Sequence, residues 1–237
     1  MMLSYKDPST TIEKSGTLLA VLPVGSTEQH GSHLPLCTDT VIASKVAEHV
    51  AKCIGAFLLP CLPYSCSLEH RGFKGTIWLR SSTVAAVIRD ISESLELSGF
   101  RFLAIVNGHG GNYILRPVVR ELNARPKGLK IILADIYSLV SSLCKPSDLH
   151  AGEVETSLML YLKPGLVGRA MQDYVPAAPR ADIDYLGFKG LTETGVWGWP
   201  SKASREKGER FFRTMVSETC KYILEKIKMF NNNFQAK

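Results

Sequence analysis

The feature that most constrains this chain is a regular alternation of short apolar runs with longer stretches of helical periodicity. Residues 17–24 (TLLAVLPV) form an apolar run bounded by Gly16 and Gly25, the pattern of a strand buried on both faces. Residues 40–54 then place Val41, Ile42, Val46, Val50 and Ile54 at helical spacing. The alternation predicts a strand over 56–59, a helix over 84–97 ended by Gly99, and a strand over 102–106. It continues with a helix over 113–122 that must accommodate Pro117, a strand over 129–134, and a helix over 153–162 ended by Pro164 and Gly165. A long amphipathic helix is expected over 203–230, broken near Gly208. Such alternation favours parallel strands joined by crossovers that cover both sheet faces. The expected fold class is α/β, a three-layer architecture with a central, mostly parallel sheet flanked by helices. No internal repeat, low-complexity tract or linker interrupts it, so residues 1–237 read as a single domain. Residues 176–200, rich in Gly, Pro and aromatics, read as a long connection of the kind that covers active sites.

Composition acts by exclusion. With 45% hydrophobic and 21% charged residues the chain can bury a sizeable core. The net charge of +6 permits an anionic partner, but the Lys and Arg residues are dispersed and no aromatic–basic motif accompanies them. No nucleic-acid partner is therefore expected. The opening MMLSYKDPSTTIEKSG is polar and lacks the apolar stretch of a signal peptide, and residues 18–24 are too short to cross a bilayer, so no membrane partner is expected. Six cysteines without a CxxC pair suit a reduced, cytoplasmic setting.

Three polar clusters fall at expected strand ends or helix starts. The first, GSTEQHGSHLPLCTD (residues 25–39), follows the first strand, at the sheet edge where ligands bind in open α/β folds. In an extended segment Glu28 and His30 point the same way, which makes half a metal site. Asp39 can add an oxygen and bridge two ions. A polar loop with a helix-capping Asp would account for the same residues. The second cluster, NGHGGN (107–112), surrounds His109 with glycines that leave its ring uncrowded. The competing reading is a non-catalytic, nucleotide-binding module using a glycine-rich phosphate cradle, although the Lys-Ser/Thr of a P-loop is missing. The third, HAGEVETS (150–157), puts Glu153 and Glu155 in a first helical turn, where acidic residues complement the helix dipole. The preceding His150 has no such structural excuse and suits a proton shuttle. Carboxylate and imidazole without an obvious thiol point to a divalent ion, zinc or manganese, rather than an iron–sulfur cluster.

These three segments, with EHRGFKGT (69–76) and GVWGWPSKASREKGE (195–209), resemble the signature segments of the creatininase (creatinine amidohydrolase) family over roughly residues 18–209. The resemblance implies a metal-dependent hydrolase of C–N bonds with an α/β fold, two divalent ions per subunit (zinc or manganese, with iron an alternative) and a homo-oligomer, often a hexamer. It places metal ligands at Glu28, His30, Asp39 and His109, and the catalytic group at His150. It implies no organic cofactor. Members that hydrolyse creatinine carry a glutamate ligand where this chain has Gly111, and the inference is that Glu155 replaces it. They also carry an acidic residue where this chain has Leu149, and a tryptophan lid near the position of Lys145 and Pro146. The expected substrate is a small cyclic amide, a formamide such as a pyrimidine nucleotide precursor, or a short peptide as in mycofactocin-precursor maturation. Trp197 and Trp199 are candidates for a different lid. Glu69 and His70 are expected at the pocket, His33 behind a ligand, His49 at the surface, and Trp78, Phe73 and Cys37 in packing roles.

Overall fold

The computed structural model of the protein describes residues 2–235. Four parallel strands, β1 (Leu19–Val24), β2 (Phe57–Leu58), β3 (Phe102–Asn107) and β4 (Lys130–Asp135), form one sheet in the order β2-β1-β3-β4. The helices are α1 (Ser9–Ser15), α2 (Thr38–Ile54), α3 (Ser81–Leu97), α4 (Leu115–Asn123), α5 (Ile136–Leu139), α6 (Glu153–Leu162), α7 (Ile183–Leu191) and α8 (Arg205–Gln235). The α/β expectation and the three-layer arrangement hold.

Every residue of β1 and β3 is buried, which is why neither strand shows a polar–apolar alternation. Alternation survives in which side each residue faces. Leu19, Val21, Phe102, Ala104, Val106, Ile132 and Ala134 pack with α2, α6 and α8. Ala20, Leu22, Val24, Leu103, Ile105 and Ile131 pack with α3 and α4. Each fully buried Leu or Ile contributes about 1.5–3 kcal/mol relative to exposure, so the two layers together fix the sheet firmly. In register, Val24 lies opposite Asn107, which lies opposite Asp135. Three strands thus finish level, and the loops that follow them emerge at one edge.

Helix ends differ from the pattern where local chemistry overrides periodicity. Helix α4 starts at Leu115, putting Pro117 in the first turn, where a missing amide N–H leaves no bond unmade. Helix α8 runs unbroken through Gly208, against expectation. A Cβ at Gly208 would run into the Ser157 carbonyl and Tyr161, so the glycine is there to let α8 lie against α6. The expected open connection at 176–200 instead contains α7, kinked at Gly187, whose φ is 66°. Trp78 is not core: it is 41% exposed, and Phe73 is only half-buried under Lys189. His49 is exposed as expected, its ring edge against Phe212. Among the described residues no helix is long and apolar enough to cross a membrane.

Because Gly208 marks a backbone contact and not a hinge, Gly208→Ala should destabilise the protein even though alanine favours a helix by about 1 kcal/mol. Overpacking of this kind costs on the order of 1–3 kcal/mol, readable as a lower urea midpoint. An unchanged or higher midpoint would mean that α8 can shift away from α6 at no cost.

Candidate metal centre

The β1–α2 loop carries Glu28 and His30, and α2 opens with Asp39 in its first turn. A Cβ at Gly25 would collide with Thr40, so only glycine lets β1 turn this tightly against α2. The β3–α4 loop delivers His109, and His150 and Glu155 flank the start of α6. All six expected residues converge, and all are buried. Asp39 stands between the histidines, with Oδ1 3.2 Å from His30 Nε2 and Oδ2 3.0 Å from His109 Nδ1. Glu28 lies 3.2 Å from His109 Nε2 and 3.8 Å from His150 Nδ1, and Glu155 lies 3.8 Å from His30 Nε2.

The charge balance is unusual. Glu28, Asp39 and Glu155 form no ion pair with Lys or Arg among the described residues, and their cationic neighbours are histidines alone. Glu28 is fully buried, and the cationic side chains near its oxygens among the described residues are histidines, His70 at 3.1 Å, His109 at 3.2 Å and His150 at 3.8 Å. Burial pushes its carboxyl above the usual range, against the lowering effect of His109. Burial alone would lower His30, but Asp39, Glu155 and Glu28 outweigh it and push it up to about 10. His109 is likewise held well above its ordinary value, burial being overcome by Glu28, Asp39 and Glu69. Burial raises Glu155 to about 7. These carboxylates lack positive charge, and the histidines supply it only by taking up protons.

The donors fall into three buried groups whose ligand atoms lie within 4.8 Å of one another: Glu28, Asp39 and His109; His30, Asp39 and Glu155; and Glu28, His30 and His150. Asp39 belongs to two of them. Three buried carboxylates with no Lys or Arg partner among the described residues, together with this oxygen–nitrogen donor set, fit a divalent cation.

His150 donates from Nε2 to the Gln29 carbonyl at 2.7 Å, which leaves Nδ1 bare and turned toward Glu28. Burial and His30 hold this ring well below its ordinary pKa, hence neutral. Its neighbour Ala151 has a φ of 50°, rare for a residue with a Cβ, and its amide donates to Glu155 Oε2 at 2.6 Å. Backbone bridging with Trp197 secures the segment.

Several residues stand elsewhere than the sequence suggested, or do more. Neither Trp197 nor Trp199 lines the cavity of about 910 Å³ that opens onto the centre; Phe188 of α7 does, stacked 4.2 Å from His70. Trp197 is buried behind His150. Glu69 reaches the space beside Gly111 that a side chain there would need, with Oε1 3.3 Å from His109 Nε2. Glu69 and Glu155 therefore flank the centre from two sides. His33 donates to or accepts from Thr156 Oγ1 at 2.9 Å, next to Glu155, and touches no ligand ring by hydrogen bond. Asp148 went unnoticed in the sequence: it accepts from the amides of Glu153, Val154 and Trp199 at 2.9–3.1 Å. The only signal was an acidic residue shortly before a helix start. In the 107–112 loop the amides of Gly108, His109 and Asn112 bond to Val24, Asn107 and His109 within the protein.

A family model described as creatinine amidohydrolase matches residues 5–223. The chain belongs to the creatininase family. Among characterised relatives it is similar to the mycofactocin precursor peptide peptidase of Mycobacterium ulcerans, at 35% identity over 89% of this chain and 86% of that protein. It is also 30% identical to the creatinine amidohydrolase of Pseudomonas putida, over 92% of this chain and 91% of the relative. A solved manganese creatininase superposes with a TM-score of 0.81 at 28% identity, covering 95% of this chain and 99% of the other. A variant creatininase has been solved as a zinc–zinc type. Creatininase family membership thus agrees with the donor set in pointing to a bound divalent metal.

Asp148 holds together the start of α6 and the strand segment behind His150. Asp148→Ala should therefore lower stability by on the order of 2 kcal/mol in a denaturant titration. A loss under about 0.5 kcal/mol would show that the three amides find other acceptors.

Proposed function

We propose that this protein is a hydrolase that holds two divalent ions, zinc or manganese, and cleaves an amide C–N bond in a short peptide or an amide of similar bulk. The observation that carries the proposal is the fully buried carboxylate of Glu28, with three histidines and no Lys or Arg around it among the described residues, and Asp39 shared between adjoining donor groups. Under this reading Glu28, Asp39 and His109 hold one ion, and His30, Asp39 and Glu155 the other. Bound ions of this kind polarise a carbonyl and bring the pKa of a coordinated water close to neutrality.

The protein's own groups do the rest. The bare Nδ1 of His150 receives a proton from the attacking water and gives it to the departing nitrogen, which cannot leave as an amide anion. The Gln29 carbonyl holds the ring by Nε2 so that Nδ1 stays directed at the centre. Gln29 also donates to His70 Nδ1 at 2.8 Å, leaving the His70 proton on Nε2, where it faces Glu28 Oε1 at 3.1 Å. Phe188 on His70 keeps water from that side.

Cavity size supports a substrate larger than creatinine, which would leave most of 910 Å³ to water. Similarity to a peptidase over most of both chains supports a peptide. A second reading, a formamide on a phosphorylated nucleotide, is favoured by Arg116, Arg180 and Lys145, which line the same cavity and suit an anionic group. One domain over 1–237, a homo-oligomer and a cytoplasmic setting complete the proposal, the last supported by six free thiols.

Elemental analysis of purified protein should find about two zinc or manganese ions per chain by this assignment. Asp39→Ala should lose most of the metal and the turnover together while far-UV circular dichroism is retained; full metal and full turnover would remove Asp39 from the centre. At pH 7 metal-free His30 and His109 carry protons that a cation must expel. Calorimetric titration should accordingly show proton release on binding and an affinity that rises with pH. Binding without proton release would mean that those rings are not the ligands.

A further inference from the structure

Strand β4 ends the sheet and pairs with β3 alone. The Lys130 amide donates to the Arg101 carbonyl on the inner side at 2.9 Å, and strand residues alternate from there, so the backbone groups of Ile131 and Leu133 turn outward. Asn123, the last residue of α4, meets both groups of Ile131: its Oδ1 accepts from the amide at 2.8 Å and its Nδ2 donates to the carbonyl at 2.7 Å. The asparagine stands in for one rung of a further strand. Leu133 has no such stand-in, and among the described residues its amide and carbonyl meet no partner beyond the edge. An open strand edge is a template for another extended backbone.

The surroundings of Leu133 indicate the occupant. Leu133 and Arg116 line the cavity over the candidate metal centre. The same two residues line a second groove of about 290 Å³, bounded by Arg120 of α4 and by Tyr222, Lys226 and Phe230 of α8. Cavity and groove adjoin at Leu133, and β4 ends at Asp135, about 6–7 Å further along at the usual rise of a strand. Lys226 and the two arginines give the groove a positive rim that suits carboxylates. A second copy of this chain is a poor fit, because one free rung between Asn123 and the start of α5 is too little for strand-to-strand assembly. An extended peptide needs no more, since its other residues lie in the groove and at the centre.

We propose that the Leu133 edge of β4 is a peptide-binding site. The proposal rests on the hydrolase reading and selects a peptide as the substrate class. A part of the substrate away from the scissile bond lies beside β4, its backbone bonding to the Leu133 amide and carbonyl and one side chain entering the groove. Such bonds are equally strong in the ground and transition states, so they act on KM.

The test offers the enzyme a mixture of unblocked hexapeptides, a mixture of unblocked dipeptides and a formamidopyrimidine nucleotide. Hexapeptides should be bound better than dipeptides. In the preferred hexapeptide, N-methylation of one amide away from the scissile bond should raise KM about tenfold with kcat little changed, the effect of one lost hydrogen bond. Leu133→Pro removes the outward N–H without breaking a bond to β3, and Leu133→Ala controls for the lost side chain. The proline variant should show a hexapeptide KM about tenfold above that of the alanine variant. Equal KM in the two variants, hexapeptides bound no better than dipeptides, or methylation tolerated at every other amide overturns the proposal. So does a changed subunit number in Leu133→Pro with hexapeptide KM intact, which would make the edge a contact between copies. Should Leu133→Pro not fold, the methylated series on wild type decides alone. Hydrolysis of the nucleotide but of no peptide overturns this site and leaves the hydrolase reading standing, whereas hydrolysis of no probe sinks both.

Discussion

The carboxyl edge of the sheet is organised around one electrostatic demand: the carboxylates of Glu28, Asp39 and Glu155 are gathered away from water with histidines as their only cationic neighbours among the described residues. Burying a single unpaired carboxylate costs several kcal/mol, and like charges at this range add to it. Histidines offset part of that cost when protonated, but each has two ring nitrogens and several are committed to backbone oxygens: His30 to Glu28, His109 to Cys66 and His150 to Gln29. A divalent cation is the neutralising partner that suits the geometry. The surrounding fold can be understood as the rigid frame that keeps these groups from relaxing toward water.

That frame works because strand ends are the stiffest places from which a loop can start. Val24, Asn107 and Asp135 are paired in register, so the loops bearing Glu28 and His109 and the helix bearing Tyr137 begin from fixed points. The third contributor, the segment around His150, has no strand of its own and is held by other means. Asp148 takes three amides, Trp197 bridges to His150 through the backbone, and Glu155 accepts the amide of Ala151, which keeps an unfavourable φ of 50°. Strain at such a residue costs on the order of 1–3 kcal/mol and persists only where neighbours over-determine it. Glu155 is thus tied to the loop whose histidine it accompanies: moving one moves the other.

Much of this was legible in the sequence. The strands at 17–24 and 102–106 were readable because strands buried on both faces are continuous apolar runs, and helix 153–162 because Pro164 and Gly165 stop it. That Glu28, His30, Asp39 and His109 would gather was readable because loops after parallel strands emerge at one edge, whereas Glu155, which follows no strand, was inferred only through the family resemblance, and His150 from its place before a helix start. What escaped depends on contacts between distant segments. Nothing near Gly208 in the chain announces that Ser157 lies against it, so a packing glycine looked like a break. Glycines at 187, 190 and 195 read as loop, although most of that segment is helix resting on residues 69–71 and 174. Glu69 was expected at the pocket, but its approach to His109 beside Gly111 was not, and Asp148, which takes three amides, carried no signal of its own.

The position of α7 bears on what the cavity can admit. Phe188 packs on His70, and the cavity wall continues through Ile183, Ala181 and Arg180 on the preceding turn. The opposite wall is formed by Tyr113, Arg116 and Tyr137 from the loops and helices after β3 and β4. Both walls belong to connections, where side chains can change without disturbing the sheet. The buried donors beneath them are fixed by charge balance and cannot vary so freely. One centre with replaceable walls explains how creatinine amidohydrolase and a precursor peptide peptidase can both be relatives of this chain. Under the proposed function, selectivity would belong to the wall residues, among them Arg116, Arg180 and Phe188, and reactivity to the groups below.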